Sequence, residues 1–457
     1  MKQLLLFCGW MAYSLIGYAQ SNILVTNDEA DSILKGLYNP ADYIPDNVIN
    51  SPFDIVDGII SGISPDSLKS HLEVLSTFGN RNTGADTIST TKGMGAARRW
   101  AFAKFQAFSE NAENRLIPSY LQFDEEVCGM ERHRNTFSIL PGVGPQFDEV
   151  IIISGHLDSR CTDPCDITCE AVGMEDNGSG SVLVLELARV LSSFTFYRTI
   201  VFLLTTGEEQ GLFGATAFAE YCEQQGIKVA AVLNNDTVGG IICGATASPP
   251  GCPGLGAIDS TNIRIYSAGT NTSPHKGLAR FIKLEYEENV LPFVPTPNVI
   301  NIMTSEDRVG RGGDHIPFRQ RGFSAVRFTT AHEHGDGNPS QDGYTDRQHT
   351  INDVLGLDTD NDGVLDSFFV DFNYLARNTI INANAAAMAA LGPITPLDVE
   401  FEDVDTGIQF AIDDPNDYGT YRIGWYGFNQ NEFDTLITVN TISDTIVGLP
   451  SGPYFIS

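Results

Sequence analysis

Apolar positions follow two patterns through the middle of the chain. Continuous apolar runs of strand length alternate with longer stretches whose apolar residues recur at helical spacing. The strand-like runs are "RNTFSIL", "EVIIISG", "RTIVFLLTTG", "VAAVLNND" and "FSAVRFT". The helical stretches are "SPDSLKSHLEVLSTFG" (capped by Ser64 or Asp66), "TKGMGAARRWAFAKFQAF", "SGSVLVLELARVLSSF", "ATAFAEYCEQQG" and "DFNYLARNTIINANAAAMAAL". Apolar strands alternating with helices predict an α/β fold, with a largely parallel sheet covered by helices on both faces.

The two ends of the chain have a different character. Residues 1–20 combine one lysine, a short apolar core and a small-residue exit, a pattern that predicts a signal peptide and an exported protein. Residues 21–64 are mixed in character and form either a propeptide or an N-terminal extension wrapped on the main domain, which is predicted over 65–391. Residues 394–457 alternate apolar and polar positions between turns, which predicts a small β-sandwich module that could be truncated. This module weakly resembles a fibronectin type III domain, and its expected role is that of a spacer or adhesive appendage.

Charge and cysteine content narrow the class of protein. The net charge of -31 argues against nucleic acid and anionic membranes as partners, and no later segment is long and apolar enough to span a bilayer. The seven cysteines after the signal peptide favour disulfides with one odd thiol. Cys243 and Cys252 are the easiest pair to propose. The run "CTDPCDITC" is interpreted as a loop that is cross-linked by disulfides. One of its cysteines could pair outside the loop, for example with Cys128, and the sequence does not determine which one.

Histidines and carboxylates follow the predicted strands at their carboxyl ends, where sites form in parallel sheets. The segments at strand ends are "SGHLDSR" with His156 and Asp158, "TGEEQGLFGA" with Glu208 and Glu209, and "NNDT" with Asp236. In addition, "EDNGSGS" places Asp176 just before a helix, and "RQHTIND" supplies His349 and Asp353 in a loop. Two adjacent glutamates at the mouth of a core strand repel each other and resist burial, unless a cation offsets their charge. Nitrogen and oxygen ligands of this kind suit zinc.

These segments, in their order, spacing and strand context, resemble the M28 family of zinc peptidases over about residues 65–391. The resemblance implies an α/β sandwich around a mixed, mainly parallel sheet, and two Zn²⁺ ions bridged by Asp176. His156 and Asp236 would complete one metal site, and Glu209 and His349 the other. Glu208 would act as general base. Asp158 is expected to accept the second N–H of His156, and Asp353 to support His349 in the same way.

The implied activity is that of an exported zinc exopeptidase, an aminopeptidase acting on peptides. A carboxypeptidase is the nearest alternative, in which Arg308, Arg311 or Arg319 would bind the substrate carboxylate. Glutaminyl cyclisation is less favoured because that branch uses a single zinc. A non-catalytic binding module is disfavoured by the complete ligand set. Preferred side chain, propeptide removal and oligomeric state are not determined by the sequence.

Several positions depart from the family or compete with the assignment. Gln348 stands where several aminopeptidases of the family have a tyrosine that stabilises the oxyanion, and Tyr344 lies nearby. In "RGGDHIPF", Gly313 replaces a serine, and Asp314 and His315 are expected to line or support the site. His332 and His334 follow a strand end and are the rivals of His349. The remaining candidates, Asp358, Asp360, Asp362 and Asp366 in "DTDNDGVLD", have calcium-loop spacing, with a plain acidic turn as an equal alternative.

Overall fold

The computed structural model describes residues 21–244, 247, 249–308, 311–333, 340, 346–428, 430–449 and 454–456, so the predicted signal peptide lies outside the described residues. The strands are β1 (Ser21–Val25), β2 (Ile117–Val127), β3 (Met130–Leu140), β4 (Glu149–His156), β5 (Thr199–Thr205), β6 (Lys228–Asn235), β7 (Asn262–Ser267), β8 (Val299–Ile302), β9 (Ala325–Thr330), β10 (Gly356–Leu357), β11 (Ser367–Phe368), β12 (Asp398–Val404), β13 (Gly407–Asp413), β14 (Tyr421–Gly427), β15 (Thr435–Val439), β16 (Ser443–Ile446) and β17 (Tyr454–Ile456). The α-helices are α1 (Asp28–Leu34), α2 (Pro52–Gly62), α3 (Pro65–Ser76), α4 (Gly93–Glu110), α5 (Gly180–Leu191), α6 (Glu208–Gly211), α7 (Phe213–Gln225), α8 (Pro274–Glu285), α9 (His315–Gln320) and α10 (Phe372–Leu391).

A nine-stranded mixed sheet forms the centre of the molecule, in the order β1-β2-β3-β5-β4-β6-β9-β7-β8. Its central strands β5, β4, β6 and β9 are mutually parallel, whereas β1, β2 and β3 join antiparallel at one side. At the other side, β7 runs antiparallel to β9 and parallel to β8. The predicted mixed, mainly parallel sheet flanked by helices is confirmed, and the carboxyl ends of β5, β4 and β6 meet at one edge.

Both faces of the sheet are covered, which explains why its central strands have continuous apolar runs. In β5, Ile200 and Phe202 face a core built with helices α2, α3, α4, α5 and α10. Val201 and Leu203 face the opposite core, which is built with α1 and α7. All four side chains are fully buried. Successive residues of a strand point to opposite faces, so a strand between two cores has no polar face.

The segment before α3 packs as part of the large domain. β1 is an edge strand that pairs antiparallel with β2. In α2, Ile55 and Ile59 are fully buried in the core that also receives α10. The predicted helix that follows begins as expected, since the Ser64 side chain accepts a hydrogen bond from the Ser67 N–H and caps α3. The predicted boundary at residue 64 therefore separates segments that share one core.

The C-terminal segment forms two small antiparallel sheets, β12-β13-β16 and β15-β14-β17, around a core of its own. The module contacts α8 and the residues before it. The Tyr426 hydroxyl donates to the Asn271 carbonyl at 3.0 Å, and the Arg280 guanidinium lies 4.3 Å from the centre of the Tyr426 ring. The β-structure of this segment agrees with the sequence pattern, and the fibronectin type III resemblance stays a prediction.

A disulfide joins Cys243 to Cys252 as predicted. Two further disulfides involve the cysteines of the loop "CTDPCDITC", as also predicted. Within that loop Cys161 pairs with Cys169, while Cys165 pairs with Cys128 at the turn between β2 and β3. Among the described residues, the odd thiol is Cys222, which is buried in α7. No helix in the described ranges combines the length and apolar character needed to cross a bilayer.

Candidate metal centre

The candidate ligands lie where the central strands end. His156 is the last residue of β4, and Asp236 directly follows β6. After β5, Gly207 takes a positive φ of 73° and turns the chain so that α6 begins with Glu208 and Glu209. Gly180 at the start of α5 allows a close approach to β6, because a Cβ atom there would lie 2.4 Å from the Asn235 carbonyl oxygen. The absence of a side chain at Gly180 therefore lets the segment that carries Asp176 pack closely against the strand ends.

Five of the predicted ligands form two groups of three that share Asp176. In the first group, His156 Nε2 lies 3.2 Å from Asp176 Oδ1 and 3.4 Å from Asp236 Oδ1. In the second, His349 Nε2 lies 3.0 Å from Asp176 Oδ2 and 3.3 Å from Glu209 Oε2. Within each group, the ligand atoms lie within 4.8 Å of one another. The two oxygens of Asp176 thus face two separate candidate metal positions.

Buried polar atoms without partners show that these groups fit cations. Within the described part of the chain, His156 Nε2, Asp236 Oδ1 and Glu209 Oε1 are buried and make no hydrogen bond. A buried polar atom that lacks a partner costs about 1–3 kcal/mol, and native structures seldom keep one without a reason. His156 Nε2 and Asp236 Oδ1 face each other within the first group, 3.4 Å apart. Imidazole nitrogen and carboxylate oxygen are ligands that zinc accepts, so the residues present fit zinc.

The protein groups around the centre carry an excess of negative charge. Burial alone would lower the pKa of His156, but Glu208, Asp158, Asp176 and Asp236 outweigh it and raise that pKa well above its usual range. For His349, burial is likewise outweighed by Glu209 and Asp176, and the pKa rises to about 9. The same carboxylates that hold a proton on these imidazoles would attract dications in its place.

Glu208 belongs to neither group but lies beside the first. Its side chain is 11% exposed, and Oε2 lies 3.9 Å from His156 Nε2. Burial raises the pKa of Glu208 well above the ordinary glutamate value, and the negative charges of Asp236, Glu209 and Asp314 add to this effect. Glu208 is therefore a carboxylate beside the centre that remains free to exchange a proton.

Asp158 contacts the centre through two different groups. The His156 Nδ1 atom lies 3.1 Å from the backbone carbonyl oxygen of Asp158 but 3.7 Å from the carboxylate Oδ1. The carboxylate instead accepts hydrogen bonds from the backbone N–H groups of Glu208, at 3.4 Å, and Glu209, at 3.2 Å. A carboxylate is favoured at a helix N-terminus, where free N–H groups point at it. The carbonyl thus orients the imidazole ring, while the carboxylate orients the two glutamates.

Asp353 supports the shared carboxylate rather than His349. Its two carboxylate oxygens accept the backbone N–H groups of Glu175 and Asp176, each at 2.9 Å. Gln348 also contacts the shared residue, because its Nε2 donates to Asp176 Oδ2 at 2.7 Å. This role of Gln348 could not be predicted from the sequence, where its position directly before His349 was the available indication.

The other candidates near the centre lie outside both groups of ligands. Asp314 is fully buried and accepts a hydrogen bond from the Thr205 hydroxyl at 2.5 Å, and burial raises its pKa to about 7. His315 Nε2 lies 3.3 Å from the Glu306 carbonyl oxygen. His332 is buried against the Thr330 hydroxyl. The two remaining candidates, His334 and Tyr344, lie outside the described residues.

The arginines considered for binding a substrate carboxylate pair with carboxylates of the chain itself. Arg308 and Arg311 contact Glu333, the latter at 3.7 Å. Arg319 Nε lies 2.5 Å from Glu306 Oε1. Each of these cations therefore already has an internal counter-charge.

The acidic loop after β10 brings together part of the predicted calcium set. Oxygens of Asp358, Asp360 and Asp366 lie within 4.8 Å of one another, and Asp362 is not in this group. The Asp362 Oδ1 atom accepts the Val364 N–H at 2.8 Å. The loop's carboxylates also accept other N–H groups of the loop itself, which is the geometry of an acidic turn. Calcium at this loop stays a prediction.

Comparisons with known proteins point to one family. The sequence model of Peptidase family M28 matches residues 135–244. A probable zinc metalloprotease of Pyrenophora tritici-repentis is 30% identical, over 80% of this chain and 83% of the relative. The Legionella pneumophila LapA aminopeptidase is similar in structure, with a TM-score of 0.53 and 17% identity, covering 77% of this chain and 79% of that one. Porphyromonas gingivalis glutaminyl cyclase is also similar in structure, with a TM-score of 0.50 and 17% identity, covering 71% of this chain and 98% of that one. At these identities the structural likeness concerns the fold.

Proposed function

Since this chain belongs to peptidase family M28 and is a zinc metallopeptidase, we propose that it is an exported exopeptidase that releases N-terminal residues from peptides. The observation that supports the proposal most is the position of Asp176, whose two oxygens face His156 and His349 from one carboxylate. This geometry supports a centre of two zinc ions rather than one. In the same proposal, residues 65–391 form the peptidase domain and residues 394–457 a separate module.

Each ligand has a defined task in this proposal. His156 and Asp236 hold one zinc, Glu209 and His349 hold the other, and Asp176 is shared. When bound, zinc supplies Lewis acidity that activates a water molecule and polarises the peptide carbonyl. Asp158 and Asp353 hold the backbone of Glu208, Glu209 and Asp176 in place through the hydrogen bonds described above.

Glu208 acts as the general base in this mechanism. Its carboxylate lies beside the His156 group without belonging to it, so it can take the proton of the attacking water at one of its oxygens. It then passes this proton to the leaving amine, which must be protonated for the peptide bond to break. Burial favours the protonated form of Glu208 in the metal-free protein, and bound dications would offset this effect so that the carboxylate can accept the proton.

Charge favours the amino terminus of the peptide over its carboxyl terminus. The proposed zinc ions would offset the charges of Asp176, Asp236 and Glu209, and Glu208, which belongs to neither group, is a carboxylate left to attract a substrate ammonium group. Arg308, Arg311 and Arg319, the cations considered for binding a substrate carboxylate, contact Glu333 or Glu306. The described disulfides support export, because disulfides persist in oxidising compartments.

A peptidase assay of the purified full chain tests the proposed role of Glu208. We expect hydrolysis to stop after chelation and to return when zinc is added. Glu208→Gln should lower kcat by roughly 10²–10⁴-fold while zinc content stays at the wild-type level. Glu73→Gln, a matched change at an exposed glutamate of α3, should change neither quantity. Activity that persists in fully zinc-free protein, or an unchanged kcat for Glu208→Gln, would refute the assignment.

The direction of cleavage requires a separate set of substrates. Peptides with a free amino terminus and an amidated carboxyl terminus should be cleaved, whereas N-acetylated peptides with a free carboxyl terminus should not. The reverse preference would identify a carboxypeptidase. Because glutaminyl cyclase shares the fold, a peptide with N-terminal glutamine should be included, and we expect release of free glutamine rather than loss of ammonia.

A further inference from the structure

A buried arginine lies directly behind one of the two metal positions. Arg327 in β9 is 0% exposed, and its guanidinium contacts three carboxylates. Nη2 donates to Asp236 Oδ2 at 2.8 Å and to Glu333 Oε1 at 2.6 Å. Nη1 donates to both oxygens of Asp307, at 3.0 and 3.2 Å. This planar group is therefore held from two sides, and its orientation is fixed by Asp307 and Glu333.

The guanidinium gives the two oxygens of Asp236 different environments. Oδ2 accepts the hydrogen bond from Arg327, whereas Oδ1 makes no hydrogen bond in the described ranges and lies 3.4 Å from His156 Nε2. The hydrogen bond from Arg327 occupies one acceptor site of Oδ2 and orients the side chain so that Oδ1 faces the His156 position. Without the arginine, the Asp236 side chain could rotate or present both oxygens.

In the described part of the chain, Glu209, the unshared carboxylate of the second metal position, accepts no comparable hydrogen bond from an arginine. The Arg160 Nε atom lies 4.0 Å from Glu209 Oε2, beyond hydrogen-bond distance. The Arg160 guanidinium instead donates to the carbonyl oxygens of Cys161 and Thr162, each at 3.0 Å. The two halves of the centre therefore differ in how their unshared carboxylates are held.

We propose that Arg327 is a positioning residue that holds Asp236 for binding zinc through a single oxygen. Zinc affinity at the His156 position therefore depends on this arginine, whereas zinc affinity at the Glu209–His349 position does not. The inference rests on the proposed two-zinc centre and explains how one fold would give its two metal positions unequal affinities. Lysine cannot replace the arginine fully, because an ammonium group lacks the planar fork that reaches three carboxylates at once.

Zinc binding by the full-length protein tests this inference, measured by competition with a chromophoric chelator. In a His349→Ala background, which leaves the His156 position, adding Arg327→Gln should weaken zinc binding by about 10–100-fold, the range found for residues that orient metal ligands. Adding Arg327→Lys should weaken it less. In a His156→Ala background, which leaves the other position, Arg327→Gln should change the affinity by less than about threefold. The visible spectrum of bound Co²⁺ should change only in the first background.

A control separates positioning from a general effect on folding. Asp307→Asn keeps one acceptor oxygen for Arg327 and leaves the contact between Arg327 and Asp236, so it should lower the unfolding midpoint but weaken zinc binding much less than Arg327→Gln does. If Arg327→Gln does not fold, the comparison is made with Arg327→Lys in both backgrounds. Equal weakening in the two backgrounds, no weakening in either, or an equal effect of Asp307→Asn would overturn the inference. Wild-type protein that binds two zinc ions but cleaves no peptide would instead refute the proposed function alone.

Discussion

The carboxylate of Asp353 supports the shared ligand of the centre, and its removal should have a large effect. Asp353 is buried, and its oxygens accept the N–H groups of Glu175 and Asp176 at 2.9 Å each. Asp353→Ala leaves one buried and one partly buried N–H group without partners, and each costs up to about 1–3 kcal/mol. We therefore expect the free energy of unfolding to fall by up to about 2–6 kcal/mol. Asp353→Asn keeps one acceptor oxygen and should lose about half as much.

Zinc affinity should fall together with stability, because the two hydrogen bonds orient the backbone that carries Asp176. Loss of a group that orients a ligand lowers metal affinity by about 10–100-fold. Since Asp176 faces both metal positions, both should be weakened, in contrast to the effect expected for Arg327. Guanidinium unfolding in the presence of a chelator gives the stability change, and competition with a chromophoric chelator gives the affinity at each position.

A matched change at a helix cap, outside the two ligand groups, provides the control. Asp371 also accepts a backbone N–H, that of Tyr374, and caps α10. Asp371→Ala should cost about 1 kcal/mol of stability and leave zinc binding unchanged. If Asp353→Ala binds zinc like the wild type, or weakens only one of the two positions, the reasoning from hydrogen bonds to ligand orientation is wrong.

Three further predictions concern parts of the fold outside the centre. Burial lowers the pKa of His71 to about 4, so the stability that this residue contributes should be complete above the unfolded pKa near 6.5 and be lost as the pH falls toward 4. In urea unfolding at several pH values, His71→Leu should remove about 3 kcal/mol of this pH dependence, and an unchanged pH dependence would contradict the assignment. Replacing both Cys128 and Cys165 by serine should lower the free energy of unfolding by about 2–4 kcal/mol, and a loss below 0.5 kcal/mol (on the order of measurement error) would show that this disulfide contributes little. Arg280→Ala removes the cation above the Tyr426 ring and should weaken docking of the C-terminal module by about 1–2 kcal/mol. In calorimetry the module should then unfold at a lower temperature than in the wild type, and a single transition at the wild-type temperature would contradict this.

The central strands and the ligand positions could be predicted from the sequence for a physical reason. β4 and β5 lie between two cores, so their residues are apolar without interruption and the run ends where the chain reaches the edge of the sheet. His156 and Glu208 come directly after these runs. Polar residues at such points are placed by topology, and the parallel order of β5, β4 and β6 brings them together.

The supporting contacts could not be predicted, because they depend on loop conformation and on residues far apart in sequence. Asp353 lies close to His349 along the chain, yet its carboxylate accepts N–H groups of residues 175 and 176. In the sequence, Arg327 is one residue of a predicted strand, with nothing to distinguish it from its neighbours. Its contact with Asp236 depends on the pairing of β6 with β9. The pairing of Cys165 with Cys128 could not be predicted, because the spacing of cysteines does not determine their connectivity.

Anomalous diffraction at the zinc edge, from crystals of the full-length protein with zinc bound, tests the central claim most directly. We predict two peaks separated by about 3.5–4 Å, with one oxygen of Asp176 next to each, the His156 and Asp236 ligand atoms at one peak and those of Glu209 and His349 at the other. A single peak at full zinc occupancy, or two peaks that do not share Asp176, would contradict the account.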